Sequence, residues 1–420
     1  MTILLIYILI FIAAMIGYNL ISGMLTKQQD FTSLKTVTFG DESSVVSNRA
    51  ASIMSIIAIF LIWGSFTGSK LMPSFLHVPG AYKGAFSVPY QATDAAGKTA
   101  DAKLDIIVFG EGENPTVPEV AAGDGMAKNA SVKVQAYRSL LLSQSDLVPD
   151  PQVKITTINA KPIAPGGAVS LSEGEMRMTE KGSLAFEPYK GWQMEPIWLP
   201  APETVVTRFF DIAKNGYQNV TLLDNLWSSI FRVLVGFFLG SLVGIPLGYA
   251  MGLNSWFRGW FDPIVEFMRP VPPLALIPLI IIWFGIWETG KISLLFLAAL
   301  WIMVIAARSG VSGVRISKIH AAYSLGASKW QILKNVIVPN SLPDIFTGAR
   351  VAMGVCWGTV VAAELVAAEK GAGKMIIAAS KFQNTDIVIM GIILIGIIGY
   401  GIDILMRMAE KHLIPWKGKG

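Results

Sequence analysis

The sequence predicts an all-α, polytopic membrane protein of about seven transmembrane helices, with an inserted extracytoplasmic domain rich in β-strands. Mean hydropathy is +0.53, and 53% of the 420 residues are hydrophobic whereas 15% are charged. This composition is too apolar for an ordinary soluble domain. Long apolar runs predict the helices, and a polar stretch between two of them predicts the inserted domain.

Each predicted transmembrane helix is an apolar run long enough to cross about 30 Å of hydrocarbon, which takes about 20 helical residues. We interpret the first run as an anchor, because it has neither the basic start nor the small-residue cleavage site of a secretory signal. The runs lie near residues 3–24, 50–68, 226–252, 261–286, 290–312, 345–368 and 386–408.

These runs divide the chain into five predicted regions. They are an N-terminal transmembrane anchor, a cytoplasmic loop, the first helix of the membrane core, the extracytoplasmic domain and the rest of the core. Their bounds are residues 1–24, 25–49, 50–70, 71–200 and 201–415.

The orientation follows from the basic residues of the short loops, since Lys and Arg are enriched on the cytoplasmic side. The 313–344 connection and the C-terminal tail are therefore predicted to be cytoplasmic, and alternation puts the N-terminus and residues 71–222 outside. The loop at 369–385 also carries three lysines and weakly opposes this orientation. The basic residues that decide it are Arg315, Lys318, Lys329, Lys334, Lys411, Lys417 and Lys419.

The polar stretch differs from its surroundings in charge and pattern. Residues 71–200 hold 11 Lys plus Arg against 14 Asp plus Glu, a net charge of −3 in a chain of net charge +5. The segments KLDIIVF and VKITTINA, bounded by Gly, Pro, Asn and Asp, predict short strands, and a helix is expected near 131–144. The stretch has no nucleophile, carboxylate pair or phosphate loop. We expect it to dock or regulate a substrate-binding protein.

The segment HAAYSLGASKWQILKNVIVPNSLP, residues 320–343, predicts a polar pair of short helices between two membrane spans. Gly326 is expected to end the first helix in the left-handed conformation that glycine adopts freely. Ser328 followed by Gln331 matches a capping box that starts the second helix, and Pro339 and Pro343 are expected to end it. On physical grounds the pair either lies on the lipid surface, where Lys329 and Trp330 would be ordinary, or docks into a soluble partner.

The same segment resembles the EAA loop of ABC importer permeases, with Ala321, Ala322, Gly326 and Pro339 at matching positions. His320 replaces the pattern's Glu, and valines replace its Ile and Leu. The stretches LPAPETVV, FRVLVGFFLGSLVGIPLGYAMG and MRPVPPLALIPLIIIWFGI extend the resemblance, within residues 199–410, to the nitrate, sulfonate and taurine group. The first helix and the external domain are not part of that pattern.

The resemblance implies a type I ABC importer-like core that moves a small anion or organic oxyanion by alternating access. It also implies two cytoplasmic ATPase partners, an extracytoplasmic substrate-binding protein, a homodimer, and a bacterial cytoplasmic (inner) membrane location among lipid, with no nucleic acid. The coupling loop would be residues 315–343. Its expected ATPase-coupling residues are His320, Ala321, Ala322, Gly326, Ala327, Ser328, Trp330 and Pro339.

The sequence offers no catalytic, cofactor or metal site of its own. AEKGAGKM lacks the first Gly and the final Ser or Thr of a P-loop, so ATP and Mg²⁺ are expected on a partner ATPase. Cys356 is a single cysteine, and the three histidines never reach a metal-ligand spacing. We therefore expect a transport subunit and not an enzyme.

Ionisable residues in apolar spans are functional candidates, or else they pair with one another. Glu266 and Asp403 are such residues, in addition to the charged pathway residues named below. Arg350 is interpreted as a snorkelling anchor. A proline cluster is expected to interrupt the 261–286 helix and to mark a pathway. The predicted translocation-pathway residues are Arg232, Arg269, Pro270, Pro272, Pro273 and Glu364.

Two other classes of protein stay open from the residues alone. One is a membrane sensor or assembly protein that uses the external domain as a receptor. The other is an ion-coupled secondary transporter, which often shows inverted repeats. The first does not account for the EAA-like pair, and the sequence shows no convincing repeat that would favour the second.

Overall fold

The computed structural model describes residues 8, 9, 12, 15–17, 49–110, 112–118, 120 and 125–416. The chain divides into two compact units, Met1–Glu203 and Thr204–Gly420. Most of the first apolar run, the loop expected at 25–49 apart from its last residue, and two of the basic tail residues, Lys417 and Lys419, lie outside the described residues.

The first unit contains helix α1 (Arg49–Thr67), an apolar helix whose isoleucines are largely exposed. It ends at Gly68, which has a φ of +62°. The Ser69 N–H donates back to the Gly64 carbonyl at 3.0 Å, which is the hydrogen bond of a glycine-closed helix end.

A domain of two β-sheets follows. Its strands alternate buried and exposed residues, so that both sheets contribute to one apolar core. A short helix, α2 (Gln144–Leu147), leads out of β4. The strands are β1 (Gly84–Thr93), β2 (Thr99–Phe109), β3 (Ala130–Gln135), β4 (Leu140–Leu142), β5 (Lys154–Ile158), β6 (Lys161–Pro162), β7 (Ala168–Ser170), β8 (Gly174–Met178) and β9 (Leu184–Pro188).

The sheets have the strand orders β3-β2-β1-β5-β6 and β4-β9-β8-β7. The strands expected at KLDIIVF and VKITTINA are confirmed as β2 and β5. The helix expected near 131–144 is wrong, because that segment forms β3 and β4. Parallel pairing with β2, with Leu104 opposite Ala130, holds the Val-rich segment extended.

The second unit is helical. Its first helix, α3 (Pro202–Asn215), includes the division between the units. The others are α4 (Leu222–Leu253), α5 (Ser255–Met268), α6 (Ile277–Phe284), α7 (Glu288–Ser312), α8 (Ile316–Ser324), α9 (Lys329–Ile332), α10 (Val338–Ala367), α11 (Ala372–Lys381) and α12 (Thr385–Leu413).

Within the described residues, four helices are long and apolar enough to cross a membrane: α4, α7, the continuous helix Lys329–Val366 and α12. A fifth crossing results if α5 and the segment Pro273–Phe284, bent by 93° from each other, form one span. The expected interruption of this helix at the proline cluster is confirmed. The apolar part of α1, Ser52–Thr67, is shorter than these spans.

The prolines expected to end the second helix of the coupling segment do not end it. A π-helical turn, Leu333–Ile337, joins α9 to α10, and the helical backbone runs on from Lys329 to Val366. Pro339 falls in the first turn of α10, where its missing N–H breaks no hydrogen bond of that helix. The prediction was wrong because a π turn accommodates a change of register that a regular helix does not.

Helices α4 and α7 approach closely along a row of glycines spaced four residues apart. A Cβ added at Gly236 would lie 2.4 Å from Leu295 Cβ, and one at Gly248 would lie 2.5 Å from the Val304 carbonyl oxygen. Small residues at this spacing let membrane helices pack backbone to backbone. The row consists of Gly236, Gly240, Gly244, Gly248 and Gly252.

Candidate functional site

Two unusual constructions occupy opposite ends of α7. A cluster of charges, buried except for Glu288 itself, surrounds its first residue, Glu288, and a helical hairpin follows its last residue, Ser312. The helix between them rises about 36 Å at 1.5 Å per residue.

The hairpin, made of α8, α9 and the turn between them, is shaped by local chemistry. Gly326 has a φ of +80°. The Ala327 N–H donates to the Ala322 carbonyl at 3.1 Å and the Gly326 N–H to the Tyr323 carbonyl at 2.9 Å. This is the expected glycine-closed end of the first helix, which is confirmed.

The start of α9 is also confirmed. The Ser328 N–H donates to Gln331 Oε1 at 2.8 Å, and the Gln331 N–H donates to Ser328 Oγ at 3.3 Å. This reciprocal capping box satisfies two N–H groups that the first turn of a helix leaves free.

The base of the hairpin is packed against the membrane helices. Ile332 and Ile337 are buried together with Val311 at the end of α7, and Ile319 and Ala322 pack against them. The hairpin is therefore held by an apolar base and does not hang as a loose loop.

The tip of the hairpin is apolar and exposed. Leu325 is 87% exposed and Trp330 is 69% exposed. Tyr323 before the turn and Ile316 at the other end of α8 are also exposed. The exposure of Leu325 was not predicted from the sequence. The position of Leu325 directly before the Gly326 turn was the available signal.

The expected coupling residues all lie in or just after this hairpin. Trp330, His320, Ala321, Gly326 and Ser328 are exposed, whereas Ala322, Ala327 and Pro339 are half-buried. The Trp416 indole N–H donates to the Pro339 carbonyl at 3.2 Å.

At the other end, Arg232 of α4 is 3% exposed and lies among carboxylates. Its Nε and Nη2 donate to the two oxygens of Glu288 at 2.5 and 2.8 Å. Its Nη1 donates to Glu364 Oε1 at 2.6 Å and to the Lys370 carbonyl at 2.8 Å. Four of its five N–H groups are therefore used, which is how a buried guanidinium is stabilised.

Glu364, near the C-terminal end of α10, is fully buried. It accepts hydrogen bonds from Ser229 Oγ at 2.7 Å and from the Gly373 N–H at 3.0 Å, in addition to Arg232. Gly371 has a φ of +145°, and a Cβ there would lie 2.3 Å from the Glu364 carboxyl carbon. Only glycine fits at position 371, where the backbone comes this close to the Glu364 carboxyl group.

The rest of the charge cluster was not found from sequence. Lys291 is buried and donates to Glu288 Oε1 at 2.9 Å, so the two cations and two carboxylates of the cluster balance. Asn225 accepts from the Gly371 N–H at 2.9 Å and Ser229 from the Ala372 N–H at 3.0 Å. Asn225, Ser229 and Arg232 recur on one face of α4, and that spacing was an available signal.

The same contacts use the N–H groups at the centre of AEKGAGKM. A helix start offers N–H groups that attract an anion. Here the N–H groups of Gly371, Ala372 and Gly373 already donate to Asn225, Ser229 and Glu364. Residues 368–371 of this segment form the loop expected after α10, and residues 372–375 form the first turn of α11.

The structure brings Arg232 and Glu364 together but not with Arg269. Arg269 is exposed at the end of α5, with Glu266 Oε2 3.8 Å away as its one ion pair among the described residues. Pro272 and Pro273 stand at the 93° bend, and Pro270 directly precedes it.

Arg350, interpreted as a snorkelling anchor, is ion-paired within the protein. Its Nη2 is 3.2 Å from Asp403 and its Nη1 is 3.6 Å from Glu410. Both partners lie on α12, seven residues or about two turns apart, and so on the same face of that helix. Among the described residues no three His, Cys, Asp or Glu side chains form a metal-holding group.

Comparison with known proteins shows which family this chain resembles. Residues 240–415 match the model of the binding-protein-dependent transport system inner membrane component family. The taurine transport system permease protein TauC of Escherichia coli (strain K12) is 45% identical over 227 residues, which cover 54% of this chain and 82% of that one. The putative aliphatic sulfonates transport permease protein SsuC of Bacillus subtilis (strain 168) is 35% identical over 52% of this chain and 78% of its own.

A solved structure of the MetNI methionine ABC transporter in inward-facing conformations superposes with a TM-score of 0.41 at 20% identity, over 46% of this chain and 94% of that one. The TauC relative is covered over most of its length at high identity. The chain therefore belongs to the binding-protein-dependent transport system inner membrane component family, as a multi-pass permease component of an ABC importer.

Proposed function

We propose that the chain imports a small oxyanion or organic sulfonate by alternating access, driven by two separate ATPase subunits that bind ATP and Mg²⁺. Relatives named for taurine and aliphatic sulfonates support this substrate class. A substrate-binding protein delivers the solute from outside, and the permease is a homodimer because each chain has one coupling hairpin for two ATPases.

The observation that carries this proposal is the exposed apolar tip of the hairpin. Leu325 and Trp330 stand out from a base that is packed into the membrane helices. A solvated helix gains nothing by exposing such residues, whereas a large aromatic side chain is a typical energetic centre of a protein interface. Motion of the bound ATPase passes through α7 and α10, which the packed base joins to the hairpin.

In this proposal the pathway passes the bend between α5 and α6. Arg269 is exposed and has a long ion pair, so it is free to attract an oxyanion beside Pro270, Pro272 and Pro273. Arg232 borders the pathway and has one N–H left after its contacts, and the buried Glu364 supports it from behind. A cavity of about 380 Å³ lies next to Arg232, lined by Trp227, Ser228, Phe231, Arg232, Glu288, Glu369 and Lys370.

We further propose the orientation and division of the chain. The chain lies in a bacterial cytoplasmic membrane with the N-terminus and residues 71–222 outside and the C-terminus inside. Residues 71–200 form an inserted external domain between the first core helix and the rest of the core. The basic loops support this orientation.

The test is purification of the chain from native membranes in mild detergent, followed by mass spectrometry and an ATPase assay. The wild-type chain should retain a stoichiometric ATPase. Trp330→Glu should lower the amount of ATPase that co-purifies at least about tenfold. This is the loss of binding expected when an interface residue worth about 2 kcal/mol is removed.

The matched control is Leu141→Glu on β4, because Leu141 is as exposed as Trp330 but lies in the other unit. It should retain the ATPase in full. An eluate of the wild-type chain without ATPase, or a Trp330→Glu variant that keeps it, would contradict the proposal.

A further inference from the structure

Two short segments join α1 to the β-sheet domain in the first unit. We call residues 68–79 and 189–200 together the neck. The Trp192 N–H donates to the Pro79 carbonyl at 2.7 Å, and the Met194 N–H donates to the Phe66 carbonyl at 2.8 Å. The two segments are therefore hydrogen-bonded to each other and to the last turn of α1.

The neck is also tightly packed. A Cβ at Gly191 would lie 2.4 Å from the Pro79 carbonyl oxygen, and Gly191 has a φ of +67°. The Gln193 side chain donates to the Val78 carbonyl at 2.9 Å, and the Trp63 indole of α1 donates to the Pro200 carbonyl at 2.9 Å. Side chains on the neck are thus held at a fixed position relative to α1.

Exposed large apolar side chains concentrate in this neck. Between residues 68 and 200, six of the eight described ones lie in its two short segments. The intervening domain, which is several times longer, exposes two, Val117 and Leu141. The six are Leu71, Phe75, Tyr189, Trp192, Met194 and Trp198.

The two neck tryptophans have the properties of residues at a membrane interface. Trp192 and Trp198 are both exposed by 70% or more. Among the described contacts neither indole N–H has an acceptor, in contrast to Trp63. A ring with an apolar body and a free N–H is favoured at the level of the lipid headgroups.

The neck surface continues the apolar surface of α1. Ile59 and Phe60 are exposed on α1, and the neck begins directly after its last residue, Thr67. The apolar part of α1, Ser52–Thr67, is about 24 Å long at 1.5 Å per residue. It falls short of the roughly 30 Å of hydrocarbon. Apolar neck residues at the end of α1 supply the apolar length that the helix lacks.

We propose that the neck is a lipid-binding surface, in which Leu71, Phe75, Trp192 and Trp198 insert into the headgroup region of the bilayer. The rigid neck then holds the β-sheet domain at a fixed height and tilt on the membrane surface. The occupant is the lipid bilayer itself, because the surface is continuous with the exposed apolar face of α1. Lys70, exposed in the neck, faces anionic headgroups.

The chain is suited to a test by spin labelling, because its single cysteine, Cys356, is buried and the wild-type chain serves as the unlabelled blank. The full chain is reconstituted in nanodiscs of phosphatidylethanolamine and phosphatidylglycerol. Phe75→Cys and Trp198→Cys carry a nitroxide, and Leu141→Cys is the control. All three native side chains are exposed, at 82%, 72% and 67%, so none of the substitutions removes a core contact.

Power saturation then compares the accessibility of each label to oxygen, which concentrates in lipid, with its accessibility to a water-soluble nickel complex. We expect the oxygen-to-nickel ratio to be severalfold higher at residues 75 and 198 than at residue 141. Equal ratios at the three positions would overturn the proposal. Low accessibility to both reagents at 75 and 198 would also overturn it, because it would mean that protein covers the neck. Neither readout depends on transport or on an ATPase.

Discussion

The charge cluster and the hairpin, at opposite ends of α7, reverse the usual distribution of buried and exposed side chains in opposite ways. At the charge cluster, Arg232, Lys291 and Glu364 are buried where apolar residues would be expected. At the hairpin, Leu325 and Trp330 are exposed where polar residues would be expected. The cluster satisfies its groups within the chain, whereas the apolar tip of the hairpin is exposed.

The comparison separates an end with fixed geometry from an end that, in the proposed function, makes contact with a partner. The cluster joins α4, α7, α10 and α11 through charge-assisted hydrogen bonds with fixed directions. The hairpin has a packed base and an unpartnered tip. In an alternating-access cycle, force applied at the tip would then be transmitted along helices whose far ends are clamped together.

The largest expected effect is at the charge cluster. Arg232→Met leaves Glu364 buried without its cation, and removing one partner of a buried ion pair costs about 3–5 kcal/mol. The free energy of unfolding in mixed micelles should fall by that amount. Glu288 and Lys291 still pair with each other, so the loss belongs to Glu364.

A double variant separates the effect of the unpaired Glu364 charge from the effect of packing. Arg232→Met/Glu364→Gln removes the uncompensated carboxylate but keeps an oxygen that accepts from Ser229 and Gly373. It should recover most of the stability lost in Arg232→Met. A double variant as unstable as the single one would show that packing, and not charge, makes this end rigid.

The next largest effect is expected at the close contact between α4 and α7, between the charge cluster and the hairpin. Gly248→Ala inserts a methyl group 2.5 Å from the Val304 carbonyl oxygen and 2.6 Å from Ala307 Cβ, so α4 and α7 must separate. Overpacking of this kind costs about 1–3 kcal/mol. The measurement is again the free energy of unfolding.

Gly259→Ala in α5 is the matched control, because a Cβ there meets nothing within 4 Å. Alanine is the better helix former by about 0.5–1 kcal/mol, so this variant should be as stable as wild type or slightly more so. Equal destabilisation by both variants would mean that the α4–α7 contact is not close in the membrane.

A smaller effect is expected at the hairpin turn. Gly326→Ala meets nothing within 4 Å, so its cost is conformational and comes from the φ of +80°. We expect a loss of about 1 kcal/mol in the free energy of unfolding. Gly326→Asn, which tolerates the left-handed region better, should lose less. If alanine and asparagine are equally harmless, the turn changes conformation in the membrane.

How far the sequence predicts these features depends on how local their causes are. The Gly326 turn, the Ser328–Gln331 capping box and the break at Pro272 and Pro273 were predictable, because each depends on a few adjacent residues. The partner of Arg232 was not, because Glu288 lies 56 positions away and meets it only once α4 and α7 are packed. The helix expected near 131–144 failed for the same reason, since pairing with β2 outweighs local propensity.

The smallest effect on stability is expected at the hairpin tip, and it separates the two ends most directly. Leu325→Ser removes an apolar side chain that is 87% exposed, so the free energy of unfolding should change by less than about 0.5 kcal/mol. If the tip is a contact surface, the same variant should nevertheless weaken retention of the ATPase during purification. A stability loss comparable with that of Arg232→Met would mean that Leu325 packs against this chain. The hairpin would then be a second structural end, and the contrast between the two ends would disappear.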